Sequence, residues 1–258
     1  MHSSQDSSRS RRSVKSLCPQ AILLAGLSIF AAVTTQAQLI NVDFNQNNGA
    51  GWGGGGIDPG PTMSGAAATG TAGDQWNGVN VNNGAGISLF YASGGASGVT
   101  MSFTSGGGYD ANEPVWGGNS PFNSTPYQNL MEDYLFTGPT TITLAGLLPN
   151  QAYSLFLYNA ADNNSGVRTT MFTVNGNNLS STWDATSSTL IAGVTYVNYS
   201  SALSDGTGGL VINVAGVGGE GDINGFQLLK VVPEPSGLAL FSAGLLVLLG
   251  YRRGFRRS

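Results

Sequence analysis

The sequence predicts an all-β chain: a single jelly-roll-like antiparallel β-sandwich, flanked by an N-terminal signal peptide helix and a C-terminal transmembrane helix. Three observations carry the prediction. Short segments alternate apolar and polar residues, the period of a half-buried strand. They are bounded by Gly, Asn, Asp and Pro, the residues of turns. No amphipathic helix of any length interrupts them.

The segments follow in order. LINVDF (39–44) alternates Ile40, Val42 and Phe44. GVTMSF (98–103) alternates Val99, Met101 and Phe103, and TTITLAG (140–146) sets Ile142 and Leu144 on one face. QAYSLFLY (151–158) is apolar on both faces after Tyr153, as suits a central strand. TTMFTVNGNN (169–178) runs into Asn175-Gly176, a strong hairpin signal. VTYVNYS (194–200), LVINVAG (210–216) and INGFQLLKVV (223–232) complete the set. QNLMEDYL (128–135) has room for one or two helical turns. In GLLPNQAY (146–153), Leu147, Pro149 and Tyr153 have the spacing of a tyrosine corner, a Greek-key feature. Glycine is 39 of 258 residues, about twice the usual ~7%, yet 41% hydrophobic content argues for a packed core. The Gly-rich first half makes a poor core of its own. One domain over 38–231, with the first strand beside the last, therefore fits better than two.

The two ends read as addresses. RSRRSVK (9–15) is basic, AILLAGLSIFAAV (21–33) is a 13-residue apolar run, and TQA (35–37) supplies small residues for cleavage after Ala37. Residues 1–37 are thus expected to be a secretory signal peptide. At the other end Val232, Pro233, Glu234 and Pro235 precede an apolar run, 237–251, and then Arg252, Arg253, Arg256 and Arg257. As a helix the run covers roughly 22 Å, short of a ~30 Å hydrocarbon core, but terminal arginines can snorkel and shorten the span. The prolines hold Glu234 extended outside that helix. Basic ends on the cytoplasmic side place residues 38–236 outside the cytoplasm.

Pro-Glu-Pro, apolar run and arginine cluster, in that order over 232–258, resemble the PEP-CTERM sorting signal of Gram-negative bacteria. The resemblance implies a membrane cysteine transpeptidase, an exosortase, as partner. It also implies an inner-membrane-anchored precursor that ends in the cell envelope or the extracellular matrix. The central region is similar to domains of other PEP-CTERM proteins and distantly to galactose-binding-like and malectin-like carbohydrate-binding modules. The residues concerned are GAAATGTAGDQWNGV (65–79), GLLPNQAYSLFLY (146–158), FTVNG (172–176) and INGFQLL (223–229).

Charge narrows the function. Of ten Lys and Arg, eight lie in the two ends; only Arg168 and Lys230 remain in 39–232, against twelve of the fourteen Asp and Glu, a formal charge of −10. Such a region repels nucleic acid, whose binding rests on basic residues. Cleavage after Ala37 removes the one His, His2, and the one Cys, Cys18. Ser-His-Asp and Cys-His nucleophiles and His/Cys zinc sites go with them. GWGGGGIDPG (51–60) has no helix after it and reads as a loop.

Carboxylates and tryptophans remain. A glycosidase needs a carboxylate pair; Asp58, Asp74, Asp110, Glu113, Glu132, Asp133, Asp162, Asp184, Asp205, Glu220 and Asp222 are available, mostly in turn-like contexts. Trp52, Trp76, Trp116 and Trp183 sit among Gly, Asn and Asp, a setting that suits sugar stacking as well as core plugging. The expected ligand-binding residues are Asp74, Trp76 and Asn77, with Trp116 and Asn119. No metal is assigned; Asp43 and Asp222, on the first and last strands, are the pair that a structural Ca²⁺ would bridge. No regular Thr repeat suggests a flat ice-matching face. The expectation is a non-enzymatic exported protein in contact with exopolysaccharide. The alternatives are a purely structural matrix protein and a carboxylate-dependent glycoside hydrolase.

Overall fold

The computed structural model describes residues 38–45, 62–111, 119–136 and 140–232. The expected signal peptide, the expected sorting motif from Pro233 onward, the expected membrane helix and the arginine tail lie outside these. Among the described residues no helix is long and apolar enough to cross a membrane.

The chain is all-β with antiparallel sheets. A five-stranded sheet has β1 (Leu39–Asp43) between β14 (Gly225–Lys230) and β2 (Asn77–Gly78), with β8 (Ala152–Tyr158) and β11 (Tyr196–Leu203) beyond β14. Only the β1–β2 pairing in it is parallel. A six-stranded sheet runs β10 (Asn177–Trp183), β9 (Arg168–Val174), β12 (Leu210–Gly216), β7 (Thr140–Ala145), β4 (Ala96–Thr104) and β3 (Gly84–Phe90). A three-stranded sheet joins β13 (Asp222–Ile223), β6 (Asp133–Phe136) and β5 (Gly107–Asp110). QNLMEDYL divides between one helical turn, α1 (Gln128–Met131), and the start of β6.

First and last strands pair as expected: Leu39 faces Leu229 and Asp43 faces Gly225. Ile40, Val42 and Phe44 point into the main core, with Val99, Met101 and Phe103 from β4, Ile142 and Leu144 from β7, and Leu155 and Leu157 from β8. That core fills the space between the two large sheets, and burial of a side chain such as Phe44 is worth ~1.5–3 kcal/mol. The hairpin at Asn175-Gly176 has φ of 51° and 75°, a pair of left-handed residues that only Asn, Asp or Gly adopt readily. The tyrosine corner is present: the Leu148 N–H donates to Tyr153 Oη at 3.1 Å.

A second apolar cluster covers the other face of the five-stranded sheet, with Met63, Trp76, Phe122, Leu130, Met131, Tyr158 and Trp183. Hence β1 is buried on both sides, and Asn41 and Asp43 are interior polar groups. The closing strand satisfies several of them. Gln227 donates to Asn41 Oδ1 at 2.9 Å and to the Thr69 carbonyl at 3.1 Å, and accepts from the Thr69 N–H and the Tyr158 hydroxyl. Asn224 donates to the Asp133 carbonyl at 2.7 Å and accepts from the Ala160 N–H at 2.6 Å. A Cβ on Gly225 would collide with the Val42 carbonyl, so β14 packs this closely only with glycine there. INGFQLL is thus the seam between β1, β8 and the segment that begins at residue 62.

The outer face of the six-stranded sheet carries a feature invisible in the linear order. Strand register puts Asn178, Thr173, Asn213, Thr141 and Thr104 in one row across five strands. The Asn178, Thr173, Asn213 and Thr141 side chains hydrogen-bond in pairs along it. The row is uncharged.

Candidate functional site

A groove of about 280 Å³ opens beside the short strand β2, lined by Gln75, Trp76, Asn77, Phe90, Tyr91 and Gly94. The backbone that shapes it is tightly tied. The Gln75 N–H donates to the Ala92 carbonyl, and the Ala92 N–H to the Leu39 carbonyl, both at 2.8 Å. Asn77 binds Phe90 twice: its Nδ2 donates to the Phe90 carbonyl at 3.0 Å, and its Oδ1 accepts the Phe90 N–H at 2.8 Å. The same Nδ2 donates to the Asn41 carbonyl at 2.8 Å. One amide therefore joins the end of β3 in one large sheet to β1 in the other.

Phe90 is 50% exposed, the largest ring so open among the described residues. Gln75 is exposed, and its amide has no hydrogen-bond partner among the described residues. Tyr91 is half-buried. The lining holds an aromatic face, a free amide and no charge, a combination that takes C–H surfaces and hydroxyls together. Among the described residues that line it there is no carboxylate.

The expected ligand residues are only partly here. Trp76 and Asn77 line the groove, but Trp76 is not an open stacking platform. It is 9% exposed, its Nε1 donates to the Gly65 carbonyl at 2.8 Å, and its ring packs on Tyr158 at 6.4 Å. That is a correction with a plain cause: residues 62–77 fold back over β1, and Trp76 supplies the apolar lid. Asn77 is spent on backbone, and Asp74 closes its own turn by accepting from the Thr71 N–H and hydroxyl at 2.9 and 2.8 Å. Asn119 is exposed, binds Asn123, and is not part of the groove. Trp116 lies outside the described residues. Trp183 is core, stacked on Phe122 with centroids 6.1 Å apart.

Gln75, Phe90 and Tyr91 were not singled out from the sequence. A usable signal existed: ISLFY ends a strand with Leu89 inward, which leaves Phe90 outward before a Gly-rich turn.

The carboxylates sort into three environments. Asp184 and Asp205 clasp turns. Asp205 accepts from the Gly209 N–H and from Thr207, which hold its pKa below the usual carboxylate range. Asp184 is slightly desolvated, but bonds from Ser187 and Thr186 outweigh this and lower it too. Asp222 is buried beside Arg168, at 2.9 Å, and Glu220 completes the ion pair at 3.1 Å. Burial pushes Asp222 up to about 7; the Arg168 charge opposes this, and Glu220 adds to it. Burial alone would lower Arg168, but Asp222 raises it on balance. The two shifts pull apart, and the rise of Asp222 decides, because it is fully buried with Oδ2 unpartnered.

Asp43 belongs to a different setting. Asp43 Oδ2 accepts the Met63 N–H at 2.7 Å, whereas Asp222 Oδ1 is held by Arg168 at 2.9 Å. Asp43 lies near Asp133 and Glu132. Comparison with family models, with curated proteins and with solved structures found no match to this chain.

Proposed function

We propose that this chain is an exported, non-enzymatic protein of the cell envelope or extracellular matrix. An exosortase sorts it through the PEP-CTERM tail, and its jelly-roll-like sandwich contacts extracellular polysaccharide at the groove of Gln75, Phe90 and Tyr91. The observation that carries the ligand reading is the open Phe90 ring beside the unpartnered Gln75 amide in an uncharged groove. A ring takes the C–H face of a sugar, and an amide both donates to and accepts from hydroxyls. The neutral Thr and Asn row on the six-stranded sheet adds a second surface suited to hydroxyls. The sorting reading rests on the order of Pro233-Glu234-Pro235, apolar run and arginines.

A glycan array and a pull-down on isolated exopolysaccharide test the ligand. Wild type should be retained, and Gln75→Ala and Phe90→Ala should lose most of the signal. No binding at any calcium concentration removes the ligand claim. For sorting, a chain carrying Glu234→Ala should accumulate uncleaved at the membrane; normal processing of that variant contradicts the proposal.

A second reading has one specific observation in its favour. Both tryptophans among the described residues, Trp76 and Trp183, are buried. This suits a purely structural matrix protein that uses its large rings as core.

A further inference from the structure

Two buried carboxylates here lack the partners that burial demands. Asp43 is 0% exposed; Oδ2 accepts the Met63 N–H at 2.7 Å, and Oδ1 has no partner among the described residues. Asp133 is 1% exposed, and neither of its carboxylate oxygens has a hydrogen bond among the described residues. An unpaired buried charge is among the costliest features a fold can hold. Asn224 brings the two together: its side chain donates to the Asp133 carbonyl, and its own carbonyl accepts the Phe44 N–H at 2.8 Å.

The surroundings add negative charge. Asp110 stands opposite Asp133 across the β5–β6 ladder, and Glu132 precedes it. Burial first, then Asp110, Asp43 and Glu132, raise the Asp133 pKa; burial, partly offset by the Met63 N–H, and then Glu132 raise that of Asp43. The region's two basic residues do not help. Arg168 is bound to Asp222 and Glu220, and Lys230 lines a separate cavity with Gln38 and Leu148.

We infer that Asp43 and Asp133 bind a divalent cation, with calcium the best fit, bridging the end of β1 to the start of β6. The three unpartnered oxygens are hard, anionic donors, which calcium takes with water filling its remaining positions. Among the described residues no three acidic side chains already converge on one point. The site is therefore a two-carboxylate bridge, in the weak range of about 10⁻⁴–10⁻³ M typical of extracellular modules. Its role is to neutralise the interior and fasten the three-stranded sheet to β1.

Thermal unfolding of the full chain at neutral pH, in EDTA and in millimolar CaCl₂, tests this. Calcium should raise the wild-type Tm by several degrees. Asp133→Asn should abolish that rise, and Asp222→Asn should keep it. Equilibrium dialysis of wild type against labelled calcium gives an independent reading, with one ion expected per chain and none in Asp133→Asn. A wild-type Tm unmoved by Ca²⁺, Mg²⁺ and Mn²⁺, with no ion retained, overturns the inference and leaves two protonated acids. An equal calcium response in wild type and Asp133→Asn overturns it too.

Discussion

Asp133 stands directly opposite Asp110 in the antiparallel ladder of β5 and β6. Like charges so placed repel, at roughly 0.2–1 kcal/mol across a sheet. In chelator, at a pH alkaline enough to ionise Asp133 despite its raised pKa, Asp110→Asn should therefore raise stability by about 0.5 kcal/mol in urea denaturation. With calcium present the gain should shrink, because the ion screens the same repulsion. An equal gain in both conditions contradicts this account of the pair.

Asp222 makes stability depend on pH. Its folded pKa is pushed up to about 7 by burial, against an unfolded value near 3.8. The folded chain holds a proton that the unfolded chain releases, so this contribution is full below about pH 4 and is lost as pH rises toward 7. The groups that face it are Arg168, Glu220 and Asp162. Asp222→Asn should flatten that part of the decline when Tm is measured from pH 4 to pH 8. A variant with the same slope as wild type places the titration elsewhere.

Tyr153→Phe removes the acceptor of the Leu148 N–H. The cost should be about 1 kcal/mol, that of one net hydrogen bond. Replacement of Gly176 by Val forces a β-branched residue to a φ of 75° and should cost more. Chemical denaturation of the two variants measures both, and the ranking is the informative outcome.

Trp183 has a fully buried ring whose Nε1 has no hydrogen-bond partner among the described residues. Trp183→Ala should cost about 3–5 kcal/mol through the cavity it leaves. Trp183→Phe should cost much less, since no bond is lost. Wild-type fluorescence should show an emission maximum shifted to the blue. Equal losses in the two variants would mean that Nε1 has a partner after all.

What could be read from the sequence was local. The Asn-Gly turn, the Tyr153 corner and the inward set Ile40, Val42 and Phe44 each declare themselves within a few residues. The β1–β14 pairing followed from putting the ends of an all-β domain together. What escaped depends on distant partners. β2 is two residues long and exists because Asn77 binds Asn41 and Phe90. β5 begins with two glycines and has no apolar alternation to notice. Trp76 sits in a loop-like composition yet is buried, because composition does not say what folds over what. The Thr and Asn row arises from cross-strand register, which no repeat in the chain encodes. Asp43 is legible as an acid on the first strand, but its complete burial follows from the segment that packs over β1, which the strand itself does not announce.

The groove is the centre of the functional account, and one titration tests it most directly. Purified full-length wild type and Phe90→Ala are titrated with isolated exopolysaccharide by calorimetry, with Tm recorded for each. Phe90 is an exposed ring, so its loss should leave Tm unchanged. Affinity should fall at least about tenfold, which is ~1.4 kcal/mol. Equal binding by the two proteins, or no binding by wild type, would contradict the account.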